Sequence, residues 1–384
     1  MTIVKKRRAL IAAGGTGGHF YPGLALGREL VRRGWQVLFV VKEGDISAAA
    51  LDAEGLPYAD IPAAALPRSL NPLRHARFLF KFLSGLRRTF RILADYSPDA
   101  VFGAGSYVSF PAVFLAALRG IPRVVHESNA IFGLGNRLAG TFCQAVALGL
   151  PVDENPFAGR TVMTGTPIRE FLTAEIPRRE ARTRLGLDAE IPVVAAFGGS
   201  QGAAALNTAL AAAVGRLKSE GSVFQVLHVA GRKNAETTRL AYAAAGLGGD
   251  PGVEVLDYCS EMDLLYSAAN VIVARAGAST VAELAAVRKP AILIPLPAAA
   301  GGHQDANAAV LARAGAAVSL PQNAGLPEAL AAELRRLLTG GAAAAMSAAY
   351  GGTGVPDPRK AAAALADLIE GRGSRDQNTE VSWK

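Results

Sequence analysis

The sequence predicts an α/β protein of two Rossmann-like parallel-sheet lobes with a cleft between them, and three observations carry that reading. Two units of apolar strand, Gly-Gly-x-x-Gly turn and helix, residues 9–30 and 193–217, stand about half a chain apart. Apolar segments alternate with helical patterns along both halves, which is the βαβ rhythm of a parallel sheet. The 384 residues, 51% of them hydrophobic, exceed one compact domain and suffice for two cores.

In the first half, residues 9–13, 37–41, 100–102, 123–126 and 145–148 read as strands, with helices over 23–33 and 111–118. The run Lys5-Lys6-Arg7-Arg8 precedes an apolar stretch too short for a signal-peptide core, so the chain opens on a strand. Residues 161–169, with Gly165 and Pro167, are the expected linker, giving a first domain over 1–168 and a second over 169–355. There, 193–197, 224–230, 253–255, 271–274 and 291–295 read as strands, with 204–217 and 280–286 as helices. The glycine-rich stretch 351–358 can carry the chain back, so that a last helix within 356–370 packs on the first lobe. Residues 371–384 are polar and without periodicity, which predicts a disordered tail.

Composition excludes several classes. No stretch reaches 18 uninterrupted apolar residues, so none is long enough to span a bilayer. Cys143 and Cys259 lack zinc-ligand spacing and are too few for a disulfide framework, which implies buried thiols in a reducing compartment. The net charge of +8 belongs to the first half: residues 1–168 hold 19 Lys and Arg against 11 Asp and Glu, and the remainder is balanced. A basic first lobe suits an anionic surface. No nucleic-acid-binding motif accompanies that charge.

Glycine turns between strand and helix offer backbone N–H groups and a helix N-terminus to an anion, so two of them point to a phosphorylated substrate between the lobes. Gly14-Gly15-Thr16-Gly17-Gly18-His19 completes neither the dinucleotide fingerprint nor a P-loop. A ligand-free tight turn would look the same. His19 falls at the top of the strand, where a neutral imidazole can take a proton from a hydroxyl, although a lone histidine also fits a structural role. Gly103-Ala104-Gly105-Ser106-Tyr107 supplies a second turn at the same sheet edge, suited to clamping a diphosphate. In the second lobe Ser200 adds a hydroxyl to a glycine turn. Arg275 precedes a turn and helix start carrying Ala278, Ser279 and Thr280, with Glu283 one turn inside, positioned for a ribose diol or simply favoured by the helix dipole. His303, Gln304 and Asn307 form a polar cluster suited to sugar hydroxyls or to a solvated loop.

Seven segments, GGTGGHFYPGLAL (14–26), GAGSYVSFPA (103–112), HESNAIFGLGN (126–136), GTPIR (165–169), FGGSQGA (197–203), RAGASTVAELAA (275–286) and HQDANA (303–308), together resemble the MurG glycosyltransferases in the family's order. That resemblance implies the GT-B fold. It also implies metal-independent transfer of N-acetylglucosamine, with inversion, from UDP-N-acetylglucosamine to the 4-hydroxyl of the muramoyl sugar on undecaprenyl-pyrophosphoryl-muramoyl-pentapeptide. By family position, His19 is the base. The UDP-sugar contacts fall on Thr16, Gly17, Gly18, Asn129, Arg169, Ser200, Cys259, the 278–283 turn, and His303 or Gln304. Arg275 or Arg169 and the helix ends would face the leaving UDP; Gly103, Gly105, Ser106 and Tyr107 would hold the acceptor diphosphate. No cofactor is implied. The resemblance places the enzyme peripherally on the cytoplasmic face of the bacterial cell membrane, with other cell-wall synthesis proteins as partners. Ser128, Thr166 and Ser106 stand where the family usually has Gln, Asn and Gly, and Cys259 where Ile is common.

Between Asp60 and Asp95 there is no acid, while seven basic residues, including Arg74, Arg77 and Lys81, lie among Phe78, Phe80 and Phe82. Helical spacing assigns Leu79, Phe82, Leu83, Leu86, Phe90 and Leu93 to the core. Phe78 and Phe80 with the basic residues then form a face for anionic lipid, or a merely solvated one. UDP-N-acetylglucosamine 2-epimerases share the two-lobed architecture and donor but need no such segment; diacylglycerol glycosyltransferases do.

Overall fold

The computed structural model describes residues 6–15, 17–45, 47–64, 67, 71–173, 176–199, 203–297 and 299–372, with the backbone of 374–375 and 379–380. They divide into two compact units, Met1–Arg169 with Val355–Lys384, and Glu170–Gly354.

Unit 1 runs β1 (Arg8–Ala12), α1 (Gly17–Arg32), β2 (Gln36–Lys42), α2 (Ser47–Ala53), β3 (Tyr58–Ile61), α3 (Pro72–Tyr96), β4 (Ala100–Gly103), α4 (Ser109–Leu118), β5 (Arg123–Glu127), α5 (Leu134–Gly140), β6 (Ala145–Leu148) and β7 (Thr161–Met163). Its seven strands are parallel in the order β3-β2-β1-β4-β5-β6-β7. The central strands are buried on both faces, hence their near-continuous apolar runs.

Unit 2 runs α6 (Arg178–Arg184), β8 (Val193–Phe197), α7 (Ala204–Ser219), β9 (Gln225–Val229), α8 (Ala235–Tyr242), β10 (Val253–Leu256), α9 (Met262–Ala268), β11 (Val271–Ala274), α10 (Ala278–Val287), β12 (Ala291–Leu293), α11 (His303–Arg313), β13 (Ala317–Ser319), α12 (Leu326–Leu338) and α13 (Ala342–Ala349). Its parallel order is β10-β9-β8-β11-β12-β13. The final helix α14 (Ala361–Ile369) returns to unit 1, where Leu365, Ala366, Leu368 and Ile369 share a core with Phe20, Leu24 and Leu30 of α1. Arg33 ties it down, donating to Asp367 at 2.6 Å and Glu370 at 3.0 Å, and Trp35 Nε1 donates to Glu370 at 3.0 Å. Each unit is thus an open parallel sheet of Rossmann-like order, as the two-lobed reading expects.

Several boundaries differ from the sequence reading. α1 begins at Gly17 rather than at residue 23, because Pro22 has a helix-compatible φ and its missing N–H costs only a bond to the Gly18 carbonyl. The expected linker contributes a strand: Val146–Leu148 pair with Thr161–Met163, extending the sheet. Of the tail, residues 373, 376–378 and 381–384 lie outside the described residues, while Ser374–Arg375 and Thr379–Glu380 pair antiparallel.

The largest correction concerns α3. Its N-terminus is capped by Asn71, whose side chain accepts from Leu73 N at 2.9 Å, with Pro72 as the first helical residue. The face against the unit is Gly85, Thr89 and Leu93. A Cβ at Gly85 would stand 2.4 Å from the Pro62 carbonyl oxygen, so the backbone approaches closely only on this small-residue side. Bulkier residues turn outward as a result: Leu79, Leu83 and Phe90 are exposed, not in the core. Phe78 moves the other way, half-buried and stacked on Phe82 with centroids 5.9 Å apart.

Candidate active site

In an open α/β sheet, ligands sit beyond the carboxyl ends of the strands where the order reverses. In unit 1 that point lies between β1 and β4, with Ala12 opposite Gly103. The turns after both strands meet there. His19, in the first turn of α1, puts Nδ1 3.2 Å from the Ala104 carbonyl. A carbonyl only accepts, so Nδ1 carries the proton and Nε2 is the basic nitrogen of the neutral ring. Gly105 has φ 88°, and a Cβ on it would stand 2.9 Å from His19 Nδ1, so the contact requires glycine. Ser106 adopts φ 75°, unusual for a residue with a side chain, and its Oγ accepts from Val108 N at 3.3 Å. Gly103 ends β4, and Tyr107 packs over Gly15. Gly17 and Gly18 open α1, where N–H groups have no helical carbonyl.

Two carboxylates that the sequence did not single out organise these turns. Asp45, after β2, accepts from Gly15 N at 2.7 Å through Oδ2, and from Ser47 N at 3.0 Å and Ser47 Oγ at 2.8 Å through Oδ1. Burial raises its pKa, but these bonds and the Lys42 charge outweigh that and hold the carboxyl below its ordinary value. Glu127, ending β5 and buried, receives four N–H groups. Oε1 accepts from Asn129 N and Nδ2, both at 2.9 Å; Oε2 accepts from Gly133 N at 3.0 Å and Asn136 Nδ2 at 2.9 Å. Asn129 is thereby fixed beside the site, and Asn136 reaches the surroundings of Gly105. Only chemistry, an acid followed closely by two glycines and two asparagines, marks Glu127 in the sequence. His126 is fully buried between Ser128 Oγ at 3.2 Å and the Gly165 carbonyl at 3.1 Å, and burial pushes its pKa down to about 4. Arg169 closes unit 1, half-buried.

In unit 2 the order reverses between β8 and β11. Gly198 and Gly199, the latter at φ 83°, follow β8, whereas Ser200, like Thr16 in unit 1, lies outside the described residues. Ala278, Ser279 and Thr280 form the half-buried first turn of α10. Glu283 faces inward, its Oε2 accepting from the buried Tyr266 hydroxyl at 2.9 Å. The Arg275 guanidinium, which the resemblance turns toward the leaving UDP, is bound within unit 2. The residue is 8% exposed, donating to the Ile294 and Pro295 carbonyls at 3.0 and 3.1 Å and to Gln322 at 2.6 Å, and burial lowers its pKa. Three carbonyl oxygens at fixed places hold it more firmly than solvent would.

The polar cluster likewise divides. Asn307 is buried and donates to the Ala276 carbonyl at 3.1 Å, fixing the turn before α10. Gln304 accepts from Leu296 N at 3.0 Å, and His303 begins α11, both half-buried. Cys259 is half-buried after β10, unlike Cys143, which is buried with its thiol pushed up to about 12 by desolvation. On α3, Phe80 is 74% exposed with Arg74 and Arg77 exposed and Lys81 half-buried. Among the described residues no helix is long and apolar enough to cross a membrane.

The glycosyltransferase family 28 N-terminal domain matches residues 9–148, and the glycosyltransferase family 28 C-terminal domain matches residues 193–362. The UDP-N-acetylglucosamine--N-acetylmuramyl-(pentapeptide) pyrophosphoryl-undecaprenol N-acetylglucosamine transferase of Elusimicrobium minutum is 37% identical over 95% of this chain and 99% of the relative. Its namesake in Anaeromyxobacter sp. is 40% identical over 86% of this chain and 85% of the relative. The solved structure of MurG from Acinetobacter baumannii superposes with a TM-score of 0.74 at 30% identity, covering 95% of this chain and 99% of that one. With its glycine turns at both switch points and these matches along nearly its whole length, the chain belongs to the MurG family of glycosyltransferases.

Proposed function

We propose that this protein transfers N-acetylglucosamine from UDP-N-acetylglucosamine to the 4-hydroxyl of the muramoyl sugar of undecaprenyl-pyrophosphoryl-muramoyl-pentapeptide, in peptidoglycan synthesis. The observation that carries the mechanism is the Nδ1 contact of His19 with Ala104, since it leaves Nε2 as the proton acceptor. Nε2 takes the hydroxyl proton as the oxygen bonds to C1 of the donor sugar. The C1–oxygen bond to UDP breaks on the opposite face, inverting α to β, and UDP leaves with the electron pair. His126, held neutral by burial, is not a rival base.

Donor contacts are assigned to Gly17, Gly18, Asn129, Arg169, Cys259, Ala278, Ser279, Thr280, Glu283, and His303 or Gln304, together with Thr16 and Ser200. The N-terminus of α10 and Arg169 oppose the charge growing on UDP. Arg275 and Asn307 act as positioning residues for the turn before α10, given their hydrogen bonds. Gly103, Gly105, Ser106 and Tyr107 are assigned to the acceptor diphosphate. The exposed stripe of Leu73, Phe80 and Leu83 on α3, flanked by Arg74, Arg77 and Lys81, supports reversible attachment to anionic lipid, where the acceptor headgroup lies. That reading places the enzyme on the cytoplasmic face of the membrane, among other cell-wall synthesis proteins.

Radiolabelled sugar transfer to a short-chain acceptor analogue, with EDTA present, tests the proposal. Transfer that persists in EDTA and falls roughly 10²-fold or more in His19→Ala is the expected result. Epimerisation of the donor without acceptor, or no transfer, overturns it.

A further inference from the structure

Both sheets have the same order about their switch points, so β2 in unit 1 and β9 in unit 2 are equivalent neighbours of the first strand of each unit. The loops that follow them begin alike, with Gly44 at φ 71° and Gly231 at φ 87°. Their charges are opposite. Unit 1 has Glu43-Gly44-Asp45; unit 2 has Gly231-Arg232-Lys233, both cations exposed and Arg232 lying 5.3 Å over the Tyr258 ring. In unit 1 the acid reaches the glycine turn itself: Asp45 Oδ2 takes the Gly15 N–H at 2.7 Å, while Oδ1 is anchored twice on Ser47. A turn of this kind ordinarily offers that N–H to a phosphate.

Resting on the transferase reading above, we infer that Asp45 is a specificity-determining residue: its carboxylate takes the place of a phosphate on the glycine turn after β1 and keeps a nucleotide diphosphate out of unit 1. The inference answers a difficulty of the fold. Two equivalent switch points, each with a glycine turn, would otherwise compete for one UDP-sugar, and donor seated in unit 1 would block the acceptor. A fixed anion about 4 Å from a phosphate weakens binding by between about fivefold and a thousandfold, depending on solvent access. Arg232 and Lys233 have the opposite effect in unit 2. The block falls on Gly15 N, which the carboxylate occupies; the second turn, Gly103–Tyr107, keeps its own N–H groups for the acceptor diphosphate, and an uncharged sugar ring is not repelled at Gly17 and Gly18.

The test compares the full-length wild type with Asp45→Asn, which removes the charge but retains an oxygen for Gly15 N, and with Asp45→Ala. Calorimetric titration with UDP and with inorganic pyrophosphate reads the number of sites. One UDP site in the wild type and a second in Asp45→Asn is the expected result, with pyrophosphate binding at least about fivefold tighter. In steady-state kinetics UDP then becomes competitive against the acceptor as well as the donor. If both variants keep wild-type melting temperatures with one UDP site and pyrophosphate affinity within twofold, the inference is wrong. If Asp45→Ala alone fails to fold, Asp45→Asn decides. The stoichiometry is read whether or not sugar is transferred, so failure of the transferase reading is a separate result.

Discussion

Replacing Glu127 by Gln should damage both stability and transfer, because four N–H groups converge on its two oxygens at 2.9–3.0 Å in a site only 1% exposed. Glutamine keeps one oxygen and turns the other into an NH₂ that faces two donors. Whichever way the amide lies, two N–H groups facing the buried residue 127 lose their acceptor, either the pair from half-buried Asn129 or the pair from half-buried Gly133 and buried Asn136. Each costs about 1–3 kcal/mol, hence about 2–6 kcal/mol in total, a large part of a typical stability of about 5–15 kcal/mol. For a unit of this size that corresponds to a fall in Tm of about 4 °C or more. Differential scanning calorimetry of the full-length protein should show the unit 1 transition moving while the unit 2 transition stays. Transfer assays on the same sample should show kcat/KM reduced at least about tenfold, since either Asn129 or Asn136, which reaches the surroundings of Gly105, loses its anchor on residue 127. A Tm within 1 °C of wild type and kcat/KM within twofold would refute the reasoning.

Buried His126 and His228, held near pKa 4 and 3 by desolvation, remain neutral in the folded protein where the unfolded chain, with its ordinary value of 6.5, takes up both protons. Stability is therefore intact above pH 6.5 and falls as the pH drops below it, by about 1.4 kcal/mol per unit for each histidine; urea unfolding across this range should show a slope reduced by one proton in His228→Gln. Phe80→Glu on the exposed stripe should lower partitioning onto vesicles containing anionic lipid by at least about tenfold. Its transfer rate to a water-soluble acceptor analogue should stay within twofold, and sedimentation with vesicles equal to wild type would remove Phe80 from the membrane face.

The strands and the two glycine turns were legible because buried parallel strands write themselves as short apolar runs, and turns at positive φ require glycine at places such as Gly15 and Gly105. His19 stood out for the same reason: it follows the turn directly. What the sequence concealed depends on partners distant along the chain. Nothing adjacent to Asp45 indicates that it reaches back 30 residues to Gly15, and Arg275 reads as a ligand because the carbonyls that hold it come from Ile294 and Pro295. Periodicity failed on α3 because hydrophobicity was the wrong measure there. Close contact was decided by Gly85 and Thr89, which hydropathy ranks low, so bulky apolar residues were assigned inward when they face out. β7 was missed because Gly165 and Pro167 just beyond Thr161–Met163 mark the whole stretch as a linker.

The return of α14 to unit 1 governs the order in which a newly made chain can finish. Unit 2 is one continuous stretch, whereas unit 1 lacks the helix that covers Phe20, Leu24 and Leu30 until Ala361–Ile369 has left the ribosome. At about 5–20 residues per second, synthesis of the intervening Glu170–Gly354 leaves that apolar side of α1 uncovered for roughly 10–40 s. The half of the protein that is begun first is thus completed last. During translation its open flank is the surface on which a chaperone, or another nascent chain, would act.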